Sequence, residues 1–485
     1  MLANLSTCKL VINRTMPLTL GVFAIMLVQL VDAVFIGKLG VNELAVHGMM
    51  LPFQAGFIGL QVGVGVAATS IVACAIGAKQ QQKAAFVATS SLAFGVALVA
   101  MAALVLFTLS DWVFSLFAPD QMNVQQFEQL HGIFNQYWVF WLLSAVSVAF
   151  LYLLTCIYRA NGDTKIVGIM FAAASVINLI LDPILIFGLK MGITGAAVAT
   201  SIGYLSCAGF MVMKAKRLSW FSALYFSPQT RQYCAELVRM AIATILNQIL
   251  PSACAFITLM LIASMGTDAM AFWSLLARLE SFMLVFTLAL TMSVPPMIGR
   301  YLGANERVKI VVLLKAAFQI IIAIHLAMTL VLLLGAQTLT AVITQDPALQ
   351  LWLKDALWLM SLSYAPLGIC MLVASVFNAL RVPKLALLVS FTRLFILYIP
   401  ALWLGTASGD LFYVIVAAMC ANILAGAFAW FKLNTYIRKS IRKSIKKSID
   451  KNSSHSTDTK VALEETVKQA IKPAVLECDI STVSQ

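Results

Sequence analysis

Twelve apolar runs, each long enough to cross a bilayer, constrain this chain more than any other feature. A hydrocarbon core about 30 Å thick takes roughly 20 apolar residues per helix. Runs of that kind lie near 16–37, 46–76, 84–110, 133–157, 166–189, 192–213, 234–263, 269–299, 310–336, 351–379, 385–406 and 410–434. Of 485 residues, 61% are hydrophobic and only 11% charged. A soluble domain carries about 25% charged residues. The excess cannot hide in a larger core, because single cores stop growing near about 250–300 residues. The reading is an all-α polytopic membrane protein with twelve transmembrane helices.

The net charge of +13 suggests a nucleic-acid partner until its distribution is counted. Eleven of the 33 Lys and Arg lie from Lys432 onward, in the tail. With the N-terminus placed inside, inner segments hold eighteen of the rest, from Lys9 and Arg14 to Lys384 and Arg393, and outer loops hold only Lys38, Lys190 and Lys354. This is a positive-inside pattern rather than a nucleic-acid footprint. It predicts an inner-membrane protein with both termini in the cytoplasm.

Two landmarks recur. "IGAKQQQKAA" (76–85) is echoed by "LGANERVKIV" (302–311), and "CIYRANGDTK" (156–165) by "SVFNALRVPK" (375–384). The two offsets along the chain agree to within a small indel, and both landmarks fall on the same side of the membrane. Two six-helix halves of equal orientation follow, related by an axis along the membrane normal, a transporter plan. The expected division is an N-lobe over 10–213, a linker over 214–233, a C-lobe over 234–436, and a basic amphipathic segment with a disordered tail over 437–485.

Charges well inside spans are few: Asp32, Asp182, Arg278 and Glu280. Each is costly, and such residues usually line ion or substrate paths. Depth groups them. Asp32 lies six residues before Lys38, Asp182 eight before Lys190, and Thr200 eight after Gly192. At 1.5 Å per residue all three sit roughly 9–12 Å below the outer boundary. Asn178 stands four residues before Asp182, on the same helix face. Two carboxylates, an amide and a hydroxyl make a hard oxygen site suited to Na⁺ or protons. Two close carboxylates cannot easily both ionise, so their titrations would couple. The bland reading is that Pro183 marks a kink and a lone polar residue merely joins helices; four oxygen-bearing residues at compatible depths weigh against it. Arg278 and Glu280 are two apart and do not face each other; Glu280, near the midplane, is a candidate for a cationic substrate or a fixed pair with a base. His325 reads as a hydrogen-bonded helix contact.

Other chemistry is excluded by pattern. "GVGVAA" (63–68) mimics a dinucleotide fingerprint but lies inside a membrane run. No zinc, nucleophile-elbow or phosphate-loop motif occurs, which argues against an enzyme and an ATP-driven pump. Nine scattered Cys without metal spacing read as reduced thiols. The tail "IRKSIRKSIKKSIDK" (437–451) sets Ile every four residues among six Lys and Arg between 438 and 447. On a helix this segment is expected to lie on anionic lipid.

These residues carry a likeness. The chain resembles the multidrug and toxic compound extrusion (MATE) family, and within it the prokaryotic DinF-type branch. The matching stretches are "QLVDAVFIGKLG", "IGAKQQQKAA", "YRANGDTK", "NLILDPILIFG" with "GITGAAVATSIGY", and "PPMIGRYLGA". The resemblance covers about residues 10–435. It implies cation-coupled export of amphipathic, often cationic, compounds by a monomer that needs no cofactor beyond the coupling H⁺ or Na⁺. It also implies that Asp32, Asn178, Asp182 and Thr200 hold the cation and that span 1 bends at Pro17. Another branch carries acidic residues in spans 7 and 10; here span 7 offers Asn247 and Gln248 at mid-span with no carboxylate beside them, and span 10 has none near its centre. The rival reading is a flippase for a lipid-linked saccharide or other lipid, which calls for several basic residues in the cavity.

Overall fold

The computed structural model describes residues 5–117, 124–225 and 227–451, and of the side chains 342, 348 and 441–451 it describes nothing. Among these residues the fold is helical and contains no strand. Span 1 is Leu5–Leu39, span 2 Val41–Gly77, span 3 Gln81–Thr108, span 4 Val124–Ala160, span 5 Thr164–Gly188 and span 6 Ile193–Arg217. Span 7 is Pro228–Ala263, span 9 Arg307–Ala341, span 10 Leu349–Ala379, span 11 Pro383–Thr406 and span 12 Leu411–Ser440. Span 8 is a pair, Thr267–Met283 and Val285–Gly303, bent by 45°. Hydropathy draws span 8 as one run; the break falls at Leu284, one turn after Glu280, with neither Pro nor Gly at it. Counting the pair once gives the twelve spans that hydropathy predicts.

Spans 5 and 11 each contain a π-helical turn, Ile184–Gly188 and Thr392–Tyr398. The first follows directly on Pro183. Proline cannot return the i→i−4 hydrogen bond, and a wider turn absorbs the mismatch. Such turns recur at functional positions in helices.

The repeated landmarks fold into the same backbone. Lys79 and Asn305, which correspond in the first repeat, are both left-handed, with φ of 60° and 61°. Lys79 N–H donates to Ile76 O at 3.0 Å, and Asn305 N–H donates to Leu302 O at 3.1 Å. Gly162 and Arg381, which correspond in the second, are left-handed as well, and their N–H groups donate to Arg159 O and Asn378 O at 2.9 and 3.0 Å. Equal turns at the repeated positions are the structural trace of the duplication, and the lobes are pseudo-symmetric.

The first turn also packs on its own copy. Gly77 abuts the Arg300 backbone, and Gly303 abuts the Cys74 backbone. The contacts are reciprocal in the sense of a two-fold, and neither glycine has room for a Cβ. Lipid supplies no hydrophobic drive for helices to associate, so close backbone approach at small residues does the work. Nearby, Thr15 Oγ1 lies 2.8 Å from Ser293 Oγ, and Ser70 Oγ donates to Asn378 O at 2.8 Å. Glu236 takes Lys83 Nζ at 3.2 Å and also pairs with Arg381. All of these bonds except Glu236–Arg381, which lies within the second half, join one half of the chain to the other. They lie toward the end of the bundle that carries Leu5, the two repeated turns and the start of span 7, which we call the basic end.

The basic segment after span 12 continues that helix as far as Lys451. Arg307 Nη1 donates to Ser440 O at 2.9 Å and to Ser440 Oγ at 2.7 Å where it begins. The tail beyond, 452–485, lies outside the described residues.

Candidate cation site

Spans 1, 5 and 6 bring the N-lobe candidates together. Span 1 meets span 5 where a Cβ on Gly21 would lie 2.8 Å from the Gly168 carbonyl oxygen, and Gly168 abuts the carbonyl of Pro17. Only glycine allows that crossing. It sets the height at which Asp32, about three turns beyond Gly21 along span 1, reaches Asp182 of span 5. Span 1 runs as one helix through Pro17.

Asp182 is fully buried and Asn178 is 2% exposed, while Asp32 and Thr200 are half-buried. Amide O and N are told apart by their partners. With the Asn178 amide assigned so that both ends are satisfied, Nδ2 donates to Asp32 Oδ1 at 3.1 Å and to Asp182 Oδ2 at 3.2 Å. Its Oδ1 accepts from Thr200 Oγ1 at 3.0 Å and from Thr200 N at 3.2 Å. Asn178 therefore ties three spans and aims both carboxyls at one point. The two carboxyls are within hydrogen-bond reach of each other, yet Asp182 Oδ1 is buried with no partner among the described residues. A proton shared by the pair, or a small cation, would satisfy that oxygen. A buried acceptor left bare costs several kcal/mol.

Sequence reasoning missed the surrounding shell. Tyr137 lies within electrostatic reach of both carboxyls and Tyr204 within that of Asp32, and His47 Nδ1 lies 3.3 Å from the Tyr137 hydroxyl. Aromatic residues on spans 4 and 6 look like ordinary packing in a hydrophobic run, so only the fold reveals them.

The C-lobe candidates separate. Arg278 is exposed. Glu280 is half-buried, and Tyr364, Tyr398 and Arg393 lie within its electrostatic reach. The charge count places Arg393 among the inner loops. The structure corrects this: it stands ten residues after Pro383, within the π turn of span 11, about 15 Å along the helix from that end. Its depth inside the 385–406 run was the signal. His325, 1% exposed, keeps Nδ1 2.9 Å from Ile321 O and Nε2 3.4 Å from Thr287 Oγ1, a helix contact as expected. Among the described residues no cluster of three or more His, Cys, Asp or Glu forms a metal site, and eight cysteines are free.

A duplicated twelve-span helical protein with a buried, multi-helix carboxylate cluster has the plan of a membrane transporter. The MatE family model matches residues 17–184 and 243–404, once in each half, and the chain belongs to that family. Its transport role excludes an enzyme. The crystal structure of the Vibrio cholerae MATE transporter VcmN in the bent form superposes with a TM-score of 0.85 at 37% identity, over 90% of this chain and 98% of that one. The FAD transporter of Shewanella oneidensis is 28% identical across 86% of this chain and 92% of its own length. The multidrug export protein MepA of Staphylococcus aureus is 26% identical across 61% of this chain and 65% of its own.

Proposed function

We propose that the chain is a cation-coupled antiporter of the DinF-type branch that exports amphipathic or cationic organic compounds from the cytoplasm by alternating access. One observation carries this: Asp32, Asp182 and Thr200, from three spans, meet at the Asn178 amide, and the other oxygen of Asp182 is buried with no hydrogen-bond partner among the described residues. H⁺ or Na⁺ is the coupling ion at that point. The positive-inside bias supports an inner-membrane placement with both termini, and hence the basic end, in the cytoplasm. The inter-lobe bonds at that end then describe a state closed to the cytoplasm. Entry of a cation from outside neutralises the pair and lets spans 1, 5 and 6 draw together; Pro17 is where span 1 bends. A ligand shifts such an equilibrium only by its differential affinity for the two states. The carboxyl pair supplies it, because each state offers the cation a different set of oxygens. The lobes are assigned to 10–213 and 234–436, joined by 214–233, and Glu280 serves the substrate side. The basic segment from 437 rests on anionic lipid.

The names of the two curated relatives point to two cargoes, a multidrug set and a flavin dinucleotide. The multidrug reading is placed first, and a lipid flippase behind it, because Asp32, Asp182 and Glu280 give the spans an acidic lining. The test is dye efflux from cells carrying Asp182→Asn. Loss of efflux by at least about tenfold at normal expression is expected from a charge-coupling role; unchanged efflux removes the mechanism.

A further inference from the structure

Arg393 is a cation deep within a span for which the N-lobe mechanism has no use. Its neighbours come from four helices. Cys254 of span 7 points its Sγ at Leu394 O, 3.9 Å away, beside Arg393. Glu280 of span 8, Cys370 of span 10 and Tyr398 of span 11 lie within its electrostatic reach. Tyr364 and Tyr398 belong to one apolar cluster with Leu276 and Leu279 of span 8, so the polar tips sit on a packed aromatic wall.

Two features mark this place as unfinished. Arg393 Nε is buried with no hydrogen-bond partner, and no carboxylate comes within ion-pair distance of its guanidinium among the described residues. The Tyr364 hydroxyl, on a side chain only 1% exposed, has no partner either. Glu280 lies within electrostatic reach of Arg393 and forms no ion pair with it. A guanidinium in such surroundings is held at high cost unless something planar and anionic meets its fork.

We propose that Arg393 is the anchor of a C-lobe substrate site that takes the carboxylate or phosphate of an aromatic compound. The Tyr364 hydroxyl adds a second donor, and the half-buried Tyr398 ring receives the aromatic body. Glu280 is the resident counter-charge, which an incoming anion must displace. The site goes beyond the transport reading, since it adds an anionic substrate class to the cationic one, but it is a statement about binding and can be tested without turnover.

The experiment is equilibrium binding to the purified full-length protein by fluorescence anisotropy. The probes are fluorescein for a carboxylate, riboflavin phosphate against riboflavin for a phosphate, and ethidium as a cation. Arg393→Gln should weaken fluorescein or riboflavin phosphate by at least about tenfold, the loss of one charge-assisted bidentate contact, and leave ethidium within about twofold. Glu280→Gln, which keeps Arg393, should tighten the anionic probe and weaken ethidium. Weakening of all probes alike by Arg393→Gln, or no gain of anion affinity in Glu280→Gln, overturns the site. If Arg393→Gln does not fold, the Glu280→Gln result decides alone. Asp182→Asn serves as the separating control: it should stop transport while leaving these affinities within about twofold. Transport that survives it defeats the coupling mechanism and not the anion site.

Discussion

At the scale of single residues, Asn178 matters as much as the carboxylates it serves. Its amide is the one group that contacts both acids and Thr200. Asn178→Ala should therefore cost transport nearly as much as Asp182→Asn, about tenfold or more, because both acids lose their shared donor. Thr200→Ala should cost less, about two- to fivefold, since the Thr200 backbone N–H still reaches Asn178. Efflux assays at matched expression check the order; a Thr200→Ala loss exceeding that of Asn178→Ala contradicts this division of roles. Much of the site is legible without the fold. Depth counting from Lys38, Lys190 and Gly192 groups Asp32, Asp182 and Thr200, because an intramembrane charge is costly and therefore conspicuous. Arg393 escapes for the opposite reason. It counts with the basic residues of the neighbouring loop, where Lys and Arg are ordinary. Tyr137, Tyr204 and His47 carry no such signal, since their rings suit an apolar face whether or not an acid lies beyond it.

At the scale of elements, hydropathy locates every span because each helix must satisfy its own backbone in lipid. It cannot see the 45° break of span 8 at Leu284, where residue type does not change. It flags Pro183 but not the π turn of span 11, Thr392–Tyr398, which contains no proline. The contact of spans 1 and 5 yields a test of packing. Gly168→Val places a branched side chain against the Pro17 carbonyl, and overpacking of that kind costs about 1–3 kcal/mol. Gly209→Ala meets nothing within 4 Å and sits in a helix, so it should be neutral or gain up to about 1 kcal/mol. Thermal unfolding in detergent should show a lowered midpoint for the first and an unchanged or raised one for the second. Equal midpoints would mean that the Gly21–Gly168 crossing is loose.

At the scale of the whole molecule, the reciprocal packing of Gly77 and Gly303 places the pseudo-two-fold at the basic end. The lobes can rock about it only if the bonds gathered there release. Glu236 holds a base from each half, Lys83 and Arg381, and is the group whose loss should favour release. In a background lacking native cysteines, Ser70→Cys reports on that end, since Ser70 is 3% exposed and bonded across the lobes. Adding Glu236→Gln should speed its labelling by a membrane-impermeant thiol reagent applied from the basic side. Unchanged labelling would show that the ion pairs do not hold the closed state. In the proposed mechanism the same rocking is driven by a cation at Asp32 and Asp182, and proteoliposomes test that link most directly. Dye movement is followed under an imposed H⁺ gradient and, separately, an imposed Na⁺ gradient, for the wild-type protein and for Asp182→Asn. The account predicts that at least one gradient drives the wild-type protein and that Asp182→Asn responds to neither. Equal gradient-driven transport by the two proteins would contradict it.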